Sequence, residues 1–313
     1  MIEHLLESMR VVALPTRTNF RGINLREVAL FQGPQGWSEF SPFLEYDDNE
    51  AARWLACAIE AATTPLTKLF RDSVKVNGTI PALNDLAKIK EIVDRFPGCT
   101  TFKIKVGDNL EEDLARVSHM RAIRPDANLR IDVNGGWSVD QAVKNIDAIQ
   151  SAVGPLQYAE QPCESVEELR ELKSRVDITI AGDEVLRKAE DPFAVKLEGA
   201  VDILMLKVQP LGGIKNAHAL AEHHKLPVVV SSALESAVGI NYGLKLAASF
   251  ENELLASGLA TGSLLASNVA ELPIIDGEIR IAEFAPDIDG YEVAPDRYQW
   301  WKNRVMRTAE LLS

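Results

Sequence analysis

Lys103 and Lys105, Asp132 and Asn134, Glu160, Asp183 and Glu184, Lys207, and Ser231 with Ser232 all stand at or just beyond the ends of short apolar runs. The acids Asp132, Glu160 and Asp183 close three consecutive runs, and lysines close the runs on either side. If those runs are neighbouring strands that point the same way, the three carboxylates converge. They are then hard oxygen donors of the kind that suits magnesium, with positions left for water and a substrate carboxylate. The lysines would face each other across the same opening. Such a set is suited to taking a proton from a carbon next to a carboxylate. That proton is very weakly acidic, because its removal leaves a dianion, and a divalent cation on the carboxylate oxygens stabilises the charge as it develops. A lysine acting as base must first lose its own proton, from a reference pKa of about 10.4, and nearby positive charge lowers that value. Taken singly, each residue has a plainer reading. Two lysines two apart on a strand make an ordinary solvated edge, and an acid at a strand end is ordinarily a helix cap or a salt-bridge partner. The order Lys, Asp, Glu, Asp, Lys on successive strand ends separates the set from those readings.

The runs themselves have a rhythm. Apolar, β-rich stretches at 101–106, 129–133, 156–159, 178–181, 201–208 and 227–230 alternate with helix-like stretches at 110–123, 138–152, 166–175 and 215–223. The repeat is about 25 residues, as expected for strand–helix units joined by short loops. Stretches 74–82 and 256–261 extend the series towards eight strands. Strands alternating with helices predict a parallel sheet, and about eight units predict closure into a barrel whose active site lies at the C-terminal ends of the strands. Residues i and i+2 of a strand share a face, so Lys103 and Lys105 point together, as do Arg130, Asp132 and Asn134. Before this zone, residues 1–75 predict strands at 25–31 and 36–40, parted by Gln32-Gly33-Pro34-Gln35, and a helix at 49–63 capped by Asp47, Asp48 or Asn49. From 271 to 313 the chain reads as strand-like and turn-rich (277–284, then 288–291) with a helical tail. The expected division is a barrel over 76–270 and a second domain over 1–75, completed by 271–313.

The chain of 313 residues is long enough for one large barrel and a smaller companion. Its formal charge of −13 repels nucleic acid and anionic membranes, so neither is an expected partner. Cys57, Cys99 and Cys163 are odd in number and far apart, which suggests neither a disulfide framework nor a zinc site. No apolar run is long enough to span a bilayer, and the first 15 residues, with Glu3, Glu7 and Arg10, do not read as a signal peptide. A cytoplasmic protein acting on a small carboxylate is the expectation. Oligomeric state is not readable, and a monomer is compatible with everything above.

The order of residues resembles the enolase superfamily, in particular its muconate-lactonizing subgroup. The matching segments are TFKIKVG at 101–107, RIDVNGGW at 130–137, YAEQP at 158–162, IAGDE at 180–184 and LKVQPLGG at 206–213. The resemblance covers nearly the whole chain. It implies an α/β fold, a (β/α)7β modified TIM barrel with an α+β capping domain built from the N- and C-terminal segments. It also implies roles: Asp132, Glu160 and Asp183 as magnesium ligands (manganese able to substitute), Lys105 and Lys207 as the two acid/base lysines, Asn134 and Glu184 as supporting residues. Within the superfamily the chain is similar to the o-succinylbenzoate synthase family, through FRG at 20–22, Arg26 with Glu27, and GWSEFSPF at 36–43, which match that family's capping loops. That likeness implies a lyase of menaquinone biosynthesis. Lys105 would remove the α-proton and then protonate the departing hydroxide, and Lys207 would stabilise the enediolate. Lys103 and Arg130 would sit beside the base, with Ser231, Ser232 and the capping loops around the succinyl group.

Rival readings on the same barrel are an N-acylamino-acid racemase, a dipeptide epimerase and a muconate-type cycloisomerase. Dipeptide epimerases typically carry Asp-x-Asp at the last barrel strand, and residues 258–263 here contain no acid. A Schiff-base aldolase using Lys207 would need no metal, and a non-catalytic carboxylate-binding barrel would not need two lysine bases.

Overall fold

The computed structural model describes residues 2–20, 22–66, 68–107 and 109–312. Arg21 of the expected FRG loop lies outside the described residues, and so does the side chain of Phe20. The chain opens with α1 (Ile2–Ser8), β1 (Arg10–Phe20), β2 (Ile23–Gly33), β3 (Gly36–Phe40) and α2 (Asp48–Thr63). The three strands form an antiparallel sheet in the order β1-β2-β3. Asp47 is the cap of α2, its carboxylate accepting the Glu50 N–H at 2.8 Å.

The barrel zone follows as β4 (Ser73–Lys75), β5 (Gly78–Ile80), α3 (Ala87–Val93), β6 (Thr101–Lys105), α4 (Leu110–Ile123), β7 (Asn128–Asp132), α5 (Val139–Val153) and β8 (Tyr158–Glu160). It continues with α6 (Val166–Arg175), β9 (Ile180–Gly182), α7 (Glu184–Arg187), β10 (Ile203–Lys207), α8 (Ile214–His224), β11 (Val228–Ser231) and α9 (Ala237–Ala248). Strands β5 to β11 make one parallel sheet in sequence order. The gap between β11 and the start of the sheet is closed by Ser257 and Gly258: Ser257 bridges to Val76 and Gly258 to Ser231, both parallel. The expected strand at 256–261 is thus reduced to two bridging residues. Gly258 permits the closure, since a Cβ there would lie 2.6 Å from the Ser231 hydroxyl. Side chains from inside the sheet, Tyr158, Ala181, Ile203, Met205 and Val229, fill the lumen, so the barrel is packed rather than hollow.

The remaining elements are β12 (Ile274–Ile275), β13 (Glu278–Arg280) and α10 (Pro295–Glu310). The stretch 74–82, expected as one strand, is two. Its first part, β4, leaves the barrel sheet and pairs with the β12–β13 hairpin. That hairpin turns on Asp276 and Gly277, both at positive φ, as a two-residue turn between twisted strands requires. Helix α10 packs against α2, burying Trp301 and Val305 among Phe40, Phe43 and Trp54.

Helix ends of the barrel join it to the N-terminal unit. Glu60 of α2 accepts the backbone N–H groups of Ile214 (2.5 Å) and Lys215 (3.3 Å) at the start of α8. Arg53, also on α2, donates to the carbonyls of Arg187, the last residue of α7, and of Ala189 and Glu190 just past it. Acid at a helix start and base beyond a helix end is the sense in which helix dipoles attract charge. Glu39 of β3 does the same at α9, accepting from Ser236 N–H and Gly239 N–H.

Beside Glu39 lies a second buried acid, Glu235, which accepts the Ala233 N–H at 2.6 Å. Burial, and then the charge of Glu39, push its carboxyl up to about 7. The folded chain therefore holds a proton that the unfolded chain releases near pH 4.5, so this group's contribution to stability falls as pH rises from there to about 7. Glu235→Gln keeps an acceptor for Ala233 and has no charge to bury. The variant is expected to be more stable than the parent at pH 8, by up to about 3 kcal/mol, and equal to it at pH 4. Denaturant unfolding at both pH values checks this, and an equal effect at both would contradict it.

Candidate active site

Parallel register brings the strand-end residues together. Lys105 pairs with Asp132, Asp132 with Glu160, Glu160 with Ala181, and Lys207 with Ser231. Asp183 follows β9 directly. All of these residues stand at the C-terminal end of the sheet, and Asp132, Glu160 and Asp183 are at most 1% exposed.

Three lysines meet the three acids. Lys103 Nζ stands between two of them, 2.9 Å from Asp132 and 2.8 Å from Glu160. Lys105 Nζ donates to Asp132 Oδ2 at 2.6 Å and to Asn134 Oδ1 at 2.7 Å. Lys207 Nζ donates to Asp183 Oδ2 at 2.5 Å. Burial alone would raise the Asp132 carboxyl, but Lys103 and Lys105 reverse this and hold it well below the usual carboxylate range. Burial is likewise overcome at Asp183, by Arg187 and Lys207. At Glu160 burial wins, with Asp132 adding repulsion, and its carboxyl is pushed up to about 7. Burial works against the charge of Lys103 too, but Asp132 and Glu160 hold it well above the ordinary lysine value. Lys105 goes the other way: burial brings it down, Asp132 opposes, and the adjacent Lys103 lowers it further.

Several residues hold this set in place, and the sequence did not disclose the part of two of them, Gln161 and Arg187. Gln161, at φ +41, accepts the N–H groups of Asp183 (3.0 Å) and Val185 (3.2 Å) through Oε1 and donates to the Cys163 carbonyl. It sat inside a quoted motif, yet nothing about its type announced this bracing role. Arg187 donates to Asp183 Oδ1 at 3.1 Å and to Glu184 Oε1 at 2.7 Å; its spacing of four from Asp183 was the available signal. Asn134, at φ +52, donates to that same Glu184 oxygen at 3.0 Å. Non-glycine residues in the left-handed region at two successive strand ends are the local strain that packed functional sites sustain.

The mouth encloses about 30 Å³, bounded in part by Lys103, Lys105, Lys207, Ser231, Ser232 and, from the N-terminal unit, Phe43. That is room for about two water molecules. Thr261 also lines this space, its hydroxyl 2.8 Å from that of Ser232. Arg130 does not line it. It lies one layer deeper, fully buried, donating to Gln157 (2.6 Å), Asn77 (2.9 Å) and the Ala256 carbonyl (2.7 Å), with its guanidinium over Tyr158. Arg130, expected beside the base, shares a strand face with Asp132 and in this structure underlies the site.

Comparison with known proteins places this arrangement. Residues 86–298 match the family described as Enolase C-terminal domain-like, and residues 11–62 the one described as Enolase N-terminal domain-like. The o-succinylbenzoate synthase of Mycobacterium ulcerans (strain Agy99) is 48% identical over 315 residues, covering 98% of this chain and 95% of that protein. The chain belongs to the o-succinylbenzoate synthase family of the enolase superfamily. It is an enzyme of that family, and the expected modified TIM barrel with a capping unit is borne out. Solved structures share the fold. The L-Ala-D/L-Glu epimerase from Bacillus subtilis superposes with a TM-score of 0.73 at 20% identity, covering 91% of this chain and 98% of that one. The dipeptide epimerase from Enterococcus faecalis V583, in complex with Mg and the dipeptide L-Leu-L-Tyr, gives 0.73 at 20%, covering 90% and 97%. Among the described residues no helix is long and apolar enough to cross a membrane.

Do the residues of this synthase-family site fit a divalent cation? Among the described residues no three acids, histidines or cysteines converge as they stand, because the Lys103 ammonium lies between Asp132 and Glu160. The donor chemistry nevertheless fits. Three buried carboxylates on adjacent strand ends offer hard oxygens only, the set that suits magnesium. Burial and, after it, the charge of Asp132 raise the Glu160 carboxyl, and added positive charge would offset both.

Proposed function

We propose that this enzyme is a magnesium-dependent o-succinylbenzoate synthase, a lyase that dehydrates 2-succinyl-6-hydroxy-2,4-cyclohexadiene-1-carboxylate to 2-succinylbenzoate in cytoplasmic menaquinone biosynthesis. The near-half identity to a curated synthase along the whole chain supports the reaction. The observation that carries the mechanism is the pair Lys105 and Lys207 at one small mouth above three buried carboxylates. Asp132, Glu160 and Asp183 would hold magnesium, with manganese as a substitute. When bound, the ion supplies positive charge against the substrate carboxylate as the α-carbon loses its proton. Lys105 Nζ, neutral, takes the proton from C1, and the electron pair left behind is delocalised into the carboxylate as an enediolate. The ammonium of Lys207 stabilises that charge. Lys105, now protonated, returns the proton to the C6 hydroxyl as the C6–O bond breaks, and water departs on the face from which the proton was taken. One residue thus serves both halves of a syn elimination, and the ring becomes aromatic.

Asn134, bonded to both Lys105 and Glu184, orients the base. Ser231, Ser232 and Lys103 line the mouth beside it and are assigned to substrate contact. Thr261 and Ser232 leave the last-strand side of the mouth uncharged, which suits an anionic or neutral arm rather than a substrate ammonium. The test is conversion of the diene to the aromatic product by the purified protein, followed by ultraviolet absorbance.

A further inference from the structure

Arg26 leaves β2 and runs, 3% exposed, into the seam between the N-terminal unit and the barrel. Its Nε donates to the Leu234 carbonyl at 3.0 Å. Its Nη2 donates to the Ser41 carbonyl and, at 3.4 Å, to that of Ala233. The guanidinium carbon lies 4.6 Å from the centre of the Phe43 ring. Two of these partners, Phe43 and Ala233, bound the mouth, one from the N-terminal unit and one from the loop after β11. Leu234 sits at φ +62, a conformation that a branched residue keeps only when its surroundings impose it. Arg26 supplies part of that constraint by holding two successive carbonyls, Ala233 and Leu234.

Glu39 braces the same loop from its far end. Its carboxylate accepts from the Ser236 and Gly239 N–H groups, from the Ser236 and Ser41 hydroxyls, and from Gln209 Nε2. Between these anchors Glu235 accepts the Ala233 N–H. The loop 232–236 is therefore fixed to the N-terminal unit at both ends, and Arg26 touches both mouth walls.

We propose that Arg26 is a positioning residue that sets substrate fit, by coupling the aromatic wall at Phe43 to the barrel wall at Ala233. The inference rests on the mouth being the catalytic site. Neither wall carries the acid, base or metal-ligand residues, so they grip the part of the substrate that does not react. Loosening them weakens binding of substrate and transition state alike, which appears in KM and not in kcat.

The experiment is steady-state dehydration kinetics of the full-length chain, parallel with thermal unfolding, for Arg26→Gln, Arg26→Lys, Phe43→Leu and the double variant Arg26→Gln/Phe43→Leu. Arg26→Gln is expected to raise KM about tenfold with kcat changed less than about threefold. Arg26→Lys, which keeps the charge but not the planar fork, is expected to do nearly the same. The double variant is expected to be little worse than the poorer single, because both changes undo one coupled wall. A purely structural role would lower the melting temperature while leaving the KM of the folded fraction at the parent value, and that result overturns the inference. Strictly multiplicative effects of the two substitutions overturn it as well. If Arg26→Gln does not fold, Arg26→Lys and the Phe43 variants decide on the same criteria. No turnover by the unsubstituted chain overturns the functional reading, and this inference with it; turnover with an unchanged KM in the Arg26 variants overturns the inference alone.

Discussion

Lys105→Ala is expected to lower kcat by about 10⁴-fold, at the upper end of what one acid/base group contributes, because Lys105 serves both proton transfers. The geometry makes the variant informative. Lys105 projects from the end of β6 at the mouth, and its ammonium touches Asp132 Oδ2 and Asn134 Oδ1. Removing it deletes no part of the core and no metal ligand, and it takes away one of the two ammonium groups on Asp132 Oδ2, leaving Lys103 at 2.9 Å. Magnesium binding followed by calorimetry is therefore expected to be retained, so the loss is one of chemistry. Turnover within about tenfold of the parent would remove Lys105 from the base role.

Glu160→Gln should separate the metal from the lysines. Glutamine has the same size and retains an oxygen towards Lys103, which now bonds both carboxylate oxygens at 3.0 and 2.8 Å, so the barrel should still fold. What it lacks is the negative charge with which Glu160 would attract a divalent ion more strongly than a neutral amide oxygen does. Magnesium affinity is expected to fall by at least about a hundredfold, with turnover at ordinary magnesium concentrations lost in step. A second readout needs no substrate. Magnesium at about a hundred times its dissociation constant stabilises the parent by about 2.7 kcal/mol, and the variant should show no such rise in melting temperature. An undiminished rise would mean that the ion is held elsewhere.

The chemistry-bearing residues were legible because their types and spacing are unusual together. Acids on three successive strand ends, flanked by lysines, have few structural uses, and the 25-residue rhythm fixed which ends lie side by side. Depth was harder to read. The period of two put Arg130 on the same face as Asp132 but could not say that one turns up to the mouth and the other is held below it by Gln157 and Asn77. The first strand, β1, was missed. It carries Pro15, which breaks the strand pattern, and it can do so because it is an edge of its sheet. Expected strands also shortened where closure depends on a few backbone contacts, as at Ser257 and Gly258. Residues that act by hydrogen bonding, such as Gln161 and Arg187, were silent as types. Arg26 and Glu39 lay in segments matched to capping loops, but their junction with Glu235, about 200 positions away, had no local periodicity to disclose it.

The most direct measurement is an ultraviolet assay of the purified protein with the cyclohexadiene substrate, first with magnesium and then with excess EDTA. The account expects the diene absorbance to disappear, with 2-succinylbenzoate as product, only while the metal is present, and turnover to return when magnesium is restored. An intact fold that binds magnesium yet leaves the diene unchanged would contradict the proposed reaction, and conversion undiminished by EDTA would contradict the role given to the three carboxylates.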